Sequence, residues 1–230
     1  MRSLILFDID GTLDRKAGPE HRHALIEAIK LVTGANTTTD GIPLHGMLDP
    51  DILTLMMLAA GLTEAAIETH LPKIFKAAQD VYDATVPQDL TAALCPGVPE
   101  LLSKLKQNDT ILALVTGNLT RIGWRKIERA RLHDYFRFGA FGEMAPTRTA
   151  LARLAIEQAR KEGLIDNNSP ISLIGDAPQD VIAAQQNGIR SIAVRTGVTP
   201  PGELEACRPN CILDDLTFFQ FSSVPLHSII

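Results

Sequence analysis

Two carboxylates one residue apart, Asp8 and Asp10, leave the apolar run Leu4-Ile5-Leu6-Phe7 and meet Gly11-Thr12. Four fixed letters of the form D-x-D-G-T arise by chance in a chain this long only on the order of a few times per thousand, so the pattern asks for a chemical reason. On an extended strand, residues two apart point the same way. A strand running from Leu4 to Ile9 therefore aims both carboxylates at one site, and Gly11 lets the chain turn sharply beyond it.

Two further groups have chemistry at the ends of apolar runs. Val115-Thr116-Gly117-Asn118 offers a hydroxyl, backbone N–H groups and an amide where a helix should begin. Helix N-termini bind anions through free N–H groups and the helix dipole. Thr116 and Asn118 are also good helix caps, and taken alone that role is the simpler one. Beside the Asp pair, anion binding is favoured. Ile174-Gly175-Asp176-Ala177-Pro178-Gln179-Asp180 again puts carboxylates after a strand. Asp176 is placed to meet Asp8 and Asp10 across neighbouring strands. Clustered carboxylates repel unless a cation sits among them, and an all-oxygen set suits Mg²⁺. The alternative for Asp180 is a cap on the helix beginning near Val181.

The elements that must position these groups follow from periodicity. Strand-like runs span Leu4–Ile9, Thr110–Val115, Ile171–Ile174, Ser191–Val194 and Cys211–Leu213. Helical patterns over Val98–Gln107, Ala150–Lys161 and Val181–Gln186 lie between the later strands. Alternation of this kind predicts an α/β fold with a doubly wound parallel sheet. Such sheets bind ligands beyond the carboxyl ends of their strands, where all three motifs stand. Residues 15–93 break the rhythm and read as almost entirely helical: His21–Thr33, a second helix from Asp49-Pro50 to Gly61, and a third from Thr63 to about Asp83. A parallel crossover needs only a dozen or so residues. The expected organisation is therefore an α/β core of residues 1–14 and 94–230 with residues 15–93 inserted as a helical cap. Cys95-Pro96-Gly97 marks the return to the core, and the apolar tail from Phe218 to Ile230 packs on the core or frames an interface.

Together the motifs make the chain similar to the haloacid dehalogenase-like superfamily, across the whole core, and to its phosphoglycolate-phosphatase-like subgroup with a helical cap. Gly46-Met47-Leu48-Asp49-Pro50 loosely resembles the G-x-T-D-P turn of caps in that subgroup, with Leu48 in place of Thr. The family's third motif is usually a Lys ahead of the last strand motif. Here Arg148, opening a helix in the segment from Ala140 to Leu151, resembles a variant with Arg in that role; Arg153 and Arg121 are weaker candidates. The resemblance implies a Mg²⁺-dependent phosphatase of a small phosphorylated metabolite, phosphoglycolate-like or a sugar phosphate. Asp8 is then the nucleophile and Asp10 the general acid and base. Asp8, the Asp10 carbonyl and Asp176 hold the metal, with Asp180 in support. Thr116, Gly117, Asn118 and Arg148 hold the phosphoryl group. A sugar-phosphate mutase uses the same two Asp residues, and a catalytically silent phosphate-binding or interaction module is the reading from another class. Asp10 argues against a dehalogenase, whose members generally lack the second carboxylate.

Composition narrows the rest. The formal net charge of −5, without a basic stripe, argues against nucleic acid. No apolar run approaches the roughly 18 residues needed to cross a bilayer. With no signal-peptide pattern at the start and three cysteines, a cytoplasmic protein is expected, as a monomer or a homodimer. Cys207 and Cys211 lack a second pair at zinc spacing and read as small buried hydrophobes. His21 and His23 lie near the mouth of the cap and within reach of a substrate, though surface or half-buried helix positions are the simpler expectation, and Trp124, Arg125 and Lys126 read as an ordinary amphipathic helix.

Overall fold

Strand β1 (Leu4–Phe7) is apolar on both faces because it runs through the middle of a sheet. The computed structural model describes residues 2–15 and 18–220. The other strands are β2 (Ile111–Val115), β3 (Phe138–Ala140), β4 (Ile171–Gly175), β5 (Arg190–Val194) and β6 (Cys211–Leu213). The helices are α1 (Pro19–Thr33), α2 (Asp49–Ala59), α3 (Glu64–Thr85), α4 (Val98–Gln107), α5 (Thr120–Arg129), α6 (Arg148–Lys161), α7 (Pro178–Gln186) and the short α8 (Glu203–Ala206). The strand order is β3-β2-β1-β4-β5-β6, all parallel, with Leu6 opposite Ala113 on one side and Leu173 on the other. The fold is a doubly wound parallel α/β sheet.

Alternation along β1 divides the core. Ile5 and Phe7 pack with Val98, Leu101, Leu102 and Leu105 of α4 and Ile127 of α5. Leu4 and Leu6 pack on the opposite face with Leu151, Ala152 and Ala155 of α6 and Ala183 and Ala184 of α7. The chain winds outward from β1 through β2 to β3, then returns to β4 on the other side of β1. That reversal opens a crevice at the carboxyl ends of β1, β2 and β4.

Three expectations are corrected. First, β1 ends at Phe7, short of Ile9. The Asp8 N–H still bonds the Ile174 carbonyl at 3.0 Å, after which the N–H groups of Thr12, Leu13 and Asp14 all turn back to the Ile9 carbonyl. Gly11, at φ 83°, makes the reversal. A turn, not strand alternation, sets where Asp8 and Asp10 point. Second, β3 went unseen because three residues carry too little periodicity. Third, residues 34–48 are not helical. Gly34 caps α1 in the left-handed conformation, and Thr37-Thr38-Thr39-Asp40-Gly41-Ile42-Pro43 is a poor helix sequence.

The remaining segment packs as expected from its apolar stripes. Leu25 and Ile29 of α1, Leu53 and Met56 of α2 and Ile67 and Ile74 of α3 share one cluster, which also takes in Leu119 and Ile122 from the sheet-bearing part. Thr63 caps α3 by accepting the Ala66 N–H. The tail reading falls on residues 221–230, which lie outside the described residues. No helix among the described residues is long and apolar enough to cross a membrane.

Candidate active site

Asp8 follows β1, Asp176 follows β4, and Asp180 lies in the first turn of α7. Adjacent strands ending together place one oxygen of each within 4.8 Å of the others, with all three residues buried. Both carboxylate oxygens of Asp176 and Oδ1 of Asp180 are buried without a hydrogen-bond partner. Orphaned buried oxygens of this kind are costly, and an all-oxygen cluster matches the donor set of a hard divalent cation. The residues therefore fit Mg²⁺.

Arg148, the first residue of α6, is buried and reaches across to Asp8, its Nη1 2.8 Å from Oδ1 and 3.1 Å from the Val115 carbonyl. Its Nε lies 3.5 Å from Asp180 Oδ1, while Asp180 Oδ2 accepts the Ala177 N–H at 3.2 Å. Asp180 is thus both helix cap and site neighbour. Arg121 pairs with Asp80 and Asp83 of α3, and Arg153 is exposed, so neither reaches Asp8.

Asp10 takes another direction. Its carboxylate accepts Lys126 Nζ at 2.5 and 2.6 Å and Asn118 Nδ2 at 2.7 Å. Asn118 Nδ2 also donates to Thr116 Oγ1 at 3.2 Å, so the residues after β2 form one polar turn beside both aspartates. Gly117 is required there: a Cβ would overlap the Met47 carbonyl of the loop lying over it. Asp8, Asp10, Thr116, Gly117, Asn118, Arg148 and Asp176 all line one cavity of about 230 Å³. The loop 34–48 roofs it with Leu44, His45 and Met47.

A family model described as haloacid dehalogenase-like hydrolase matches residues 54–194, more than half of the chain. The chain belongs to the haloacid dehalogenase-like hydrolase family. It is 26% identical over 221 residues to "Probable phosphatase IndB" of Dickeya dadantii, covering 93% of this chain and 90% of that one. It is 27% identical over 223 residues to a phosphoglycolate phosphatase of Agrobacterium fabrum, covering 92% and 88%. Among solved structures it is similar in fold to a β-phosphoglucomutase of Clostridium difficile, with a TM-score of 0.71 at 18% identity over 96% of this chain and 95% of that one.

In this hydrolase-family site the electrostatics differ between neighbours. Burial pushes Asp176 up to about 9, with Asp8 and Asp180 adding repulsion. Asp180 rises to about 7, again chiefly through burial, against the opposing pull of Arg148. Burial also acts on Asp10, but the Lys126 ammonium outweighs it and, with the Asn118 amide, holds its carboxyl below the usual range.

Sequence reasoning missed three side chains. Lys126 is 2% exposed, not a solvated helix residue. His21 is buried, with Nδ1 3.2 Å from Lys126 Nζ and Nε2 3.0 Å from Asp49 Oδ2; only His23 is exposed as expected. Asp49 also accepts the Leu119 N–H at 2.8 Å. The available signal was positional. Ile122, Gly123, Lys126 and Ile127 are the buried residues of α5, so the lysine occupies the apolar stripe of its helix. Trp124 packs on Phe141 and His133, and Cys207 and Cys211 are free thiols beside apolar clusters.

Proposed function

We propose that the chain is a Mg²⁺-dependent phosphatase of small phosphate monoesters that works through an aspartyl-phosphate on Asp8. The observation carrying this reading is the position of Asp8, between buried carboxylates with orphaned oxygens on one side and the Arg148 guanidinium on the other. In this reading Asp8 attacks phosphorus, and the ester oxygen departs with a proton from Asp10. Asp10 then takes a proton from the water that releases phosphate from Asp8. Arg148, Thr116 and the backbone N–H groups of Gly117 and Asn118 hold the phosphoryl oxygens. Asp8, Asp176 and the Asp10 carbonyl would hold Mg²⁺, with Asp180 in support, and the ion would supply positive charge against the phosphoryl oxygens.

Residues 15–93 serve as a cap in this proposal, since their loop 34–48 roofs the cavity. Arg15 and Arg22, both exposed, stand at the cavity's edge. They favour an ester with a second negative charge, which makes a phosphoglycolate-like substrate the better fit than a neutral sugar phosphate. The mutase reading shares Asp8 and Asp10 and differs in the acceptor. The deciding experiment is phosphate release from a panel of phosphorylated metabolites with Mg²⁺, with chelator, and with Ca²⁺. Release that requires Mg²⁺ and is poor with Ca²⁺, without isomerisation of a sugar 1-phosphate, is the expected result. Full activity in chelator defeats the metal assignment, and efficient isomerisation defeats the hydrolase reading.

A further inference from the structure

We propose that Lys126 is the residue that positions Asp10 for proton transfer, and that His21, backed by Asp49, orients Lys126. The inference rests on the phosphatase reading and adds to it a group outside the motifs that carry the family resemblance.

Asp10 sits in a turn beyond β1, not in the sheet ladder, so its backbone alone does not fix its carboxylate. Two side chains of the β2–α5 region fix it instead. Lys126 Nζ reaches both oxygens at 2.5 and 2.6 Å, and Asn118 Nδ2 holds Oδ2 at 2.7 Å. A lysine that is 2% exposed is uncommon, and such a group persists where paired. Lys126 is paired with Asp10, whereas Arg148, the other buried cation of the site, is paired with Asp8. The two aspartates do not share a cation.

Hydrogen-bond chemistry then sets the direction of the remaining chain. An ammonium only donates, so His21 Nδ1, 3.2 Å from Lys126 Nζ, is the acceptor. The proton of the neutral imidazole therefore lies on Nε2, which donates to Asp49 Oδ2 at 3.0 Å. Asp49 is held in turn by the Leu119 N–H at 2.8 Å. Removing Lys126 leaves Asp10 with Asn118 alone among these side chains, and removing His21 takes away the acceptor that fixes the second direction of the Lys126 ammonium. His21 belongs to α1 and Asp49 to α2, while Lys126 and Asp10 belong to the sheet-bearing part. The chain is complete only with the helical segment seated, so the placement of Asp10 is coupled to that seating.

The test compares two esters whose leaving groups differ in their need for a proton. The strongly basic ester oxygen of an alkyl phosphate must take a proton from Asp10 and depart as the alcohol. 2,4-Dinitrophenyl phosphate releases a stable anion and does not need that proton. First-turnover rates are measured for both in the Mg²⁺-loaded full chain, which isolates transfer to Asp8 from the later hydrolysis. In Lys126→Met the loss with the alkyl ester should exceed the loss with the dinitrophenyl ester by about 10²-fold, the lower end of a general acid's contribution. The alkyl-ester KM should change little, Lys126→Arg should recover part of the rate, and His21→Phe should show the same ester selectivity more weakly. Should Lys126→Met fail to fold, the ratio is read in His21→Phe, which removes the acceptor of the lysine and the donor to Asp49 but leaves the Lys126–Asp10 pair in place. Equal losses on both esters, or none, overturn the positioning role. A wild-type chain that turns over neither ester overturns the phosphatase reading instead, so the two failures are distinct.

Discussion

Asp8 and Asp10 are neighbours in sequence, yet the two sides of the sheet treat them differently. On the α6 side, Asp8 meets a guanidinium anchored to the Val115 carbonyl and two carboxylates with orphaned oxygens. On the α5 side, Asp10 meets an ammonium, an amide and, through the ammonium, an imidazole from α1. The first surroundings, held by strand ends and a helix start, suit the phosphoryl-transfer role proposed for Asp8. The second fix the direction of a carboxylate that stands in a turn. The comparison teaches that one short motif can supply two different surroundings because the turn after Phe7 sends Asp8 and Asp10 to different cations on opposite faces.

The largest effect should come from the α6 side. Asp8→Asn is nearly isosteric and should remove turnover of every ester by several orders of magnitude, with the fold intact by circular dichroism. Residual activity above about one per cent of wild type would count against covalent catalysis at Asp8. Arg148→Ala comes next, at roughly 2–4 kcal/mol in kcat/KM, the cost of one preorganised donor. Arg148→Lys should recover part of this, limited by reach and the lost fork, and Arg148→Glu should be worse than Ala. Unlike the Lys126 variants, these should slow alkyl and dinitrophenyl esters alike; a leaving-group dependence at Arg148 would erase the division between the two sides. The smallest effect is on stability. Asp176 and Asp180 are pushed up to about 9 and about 7 by burial and neighbouring carboxylates. Raised values mean that the folded, metal-free chain holds protons that the unfolded chain releases near pH 4. Their stabilising contribution is full below that value and is lost as pH rises through about 7 and then about 9. Mg²⁺ binding requires those protons to leave. The Mg²⁺-induced rise in Tm should therefore grow from pH 5.5 to pH 8.5, and a pH-independent shift would place the ion elsewhere.

Much of this was legible in the sequence because the sheet is central and its strands are apolar runs. Val98–Gln107 is a helix over the residues its stripe predicts, and Cys211–Leu213 is a strand as read. The structure brings Asp8, Asp176 and Arg148 together because short-range signals, namely strand ends and a helix start, fix where they stand. What stayed hidden depends on contacts between distant segments. Lys126 looks like any helix cation until Asp10, 116 positions away, closes on it. His21 and Asp49 carry no pattern of their own; α1 and α2 have to pack before the pair exists. The roof of the cavity falls between the first two helices of the sequence reading, and nothing in its stretch of Thr, Gly and Pro says what it will cover.

Asp49 has a consequence for measuring motion. Its own N–H bonds the Gly117 carbonyl at 2.8 Å, and its carboxylate accepts the Leu119 N–H at 2.8 Å, 70 positions away. These two amides lie on opposite banks of the seam between the helical segment and the sheet-bearing part, and each is shielded by the other's bank. Deuterium from solvent reaches either one only when the seam parts. Their exchange should follow a single shared rate, separate from the slower exchange of β1 and the faster exchange of exposed turns. That pair of amides makes the opening of the site countable in a molecule with no ligand bound.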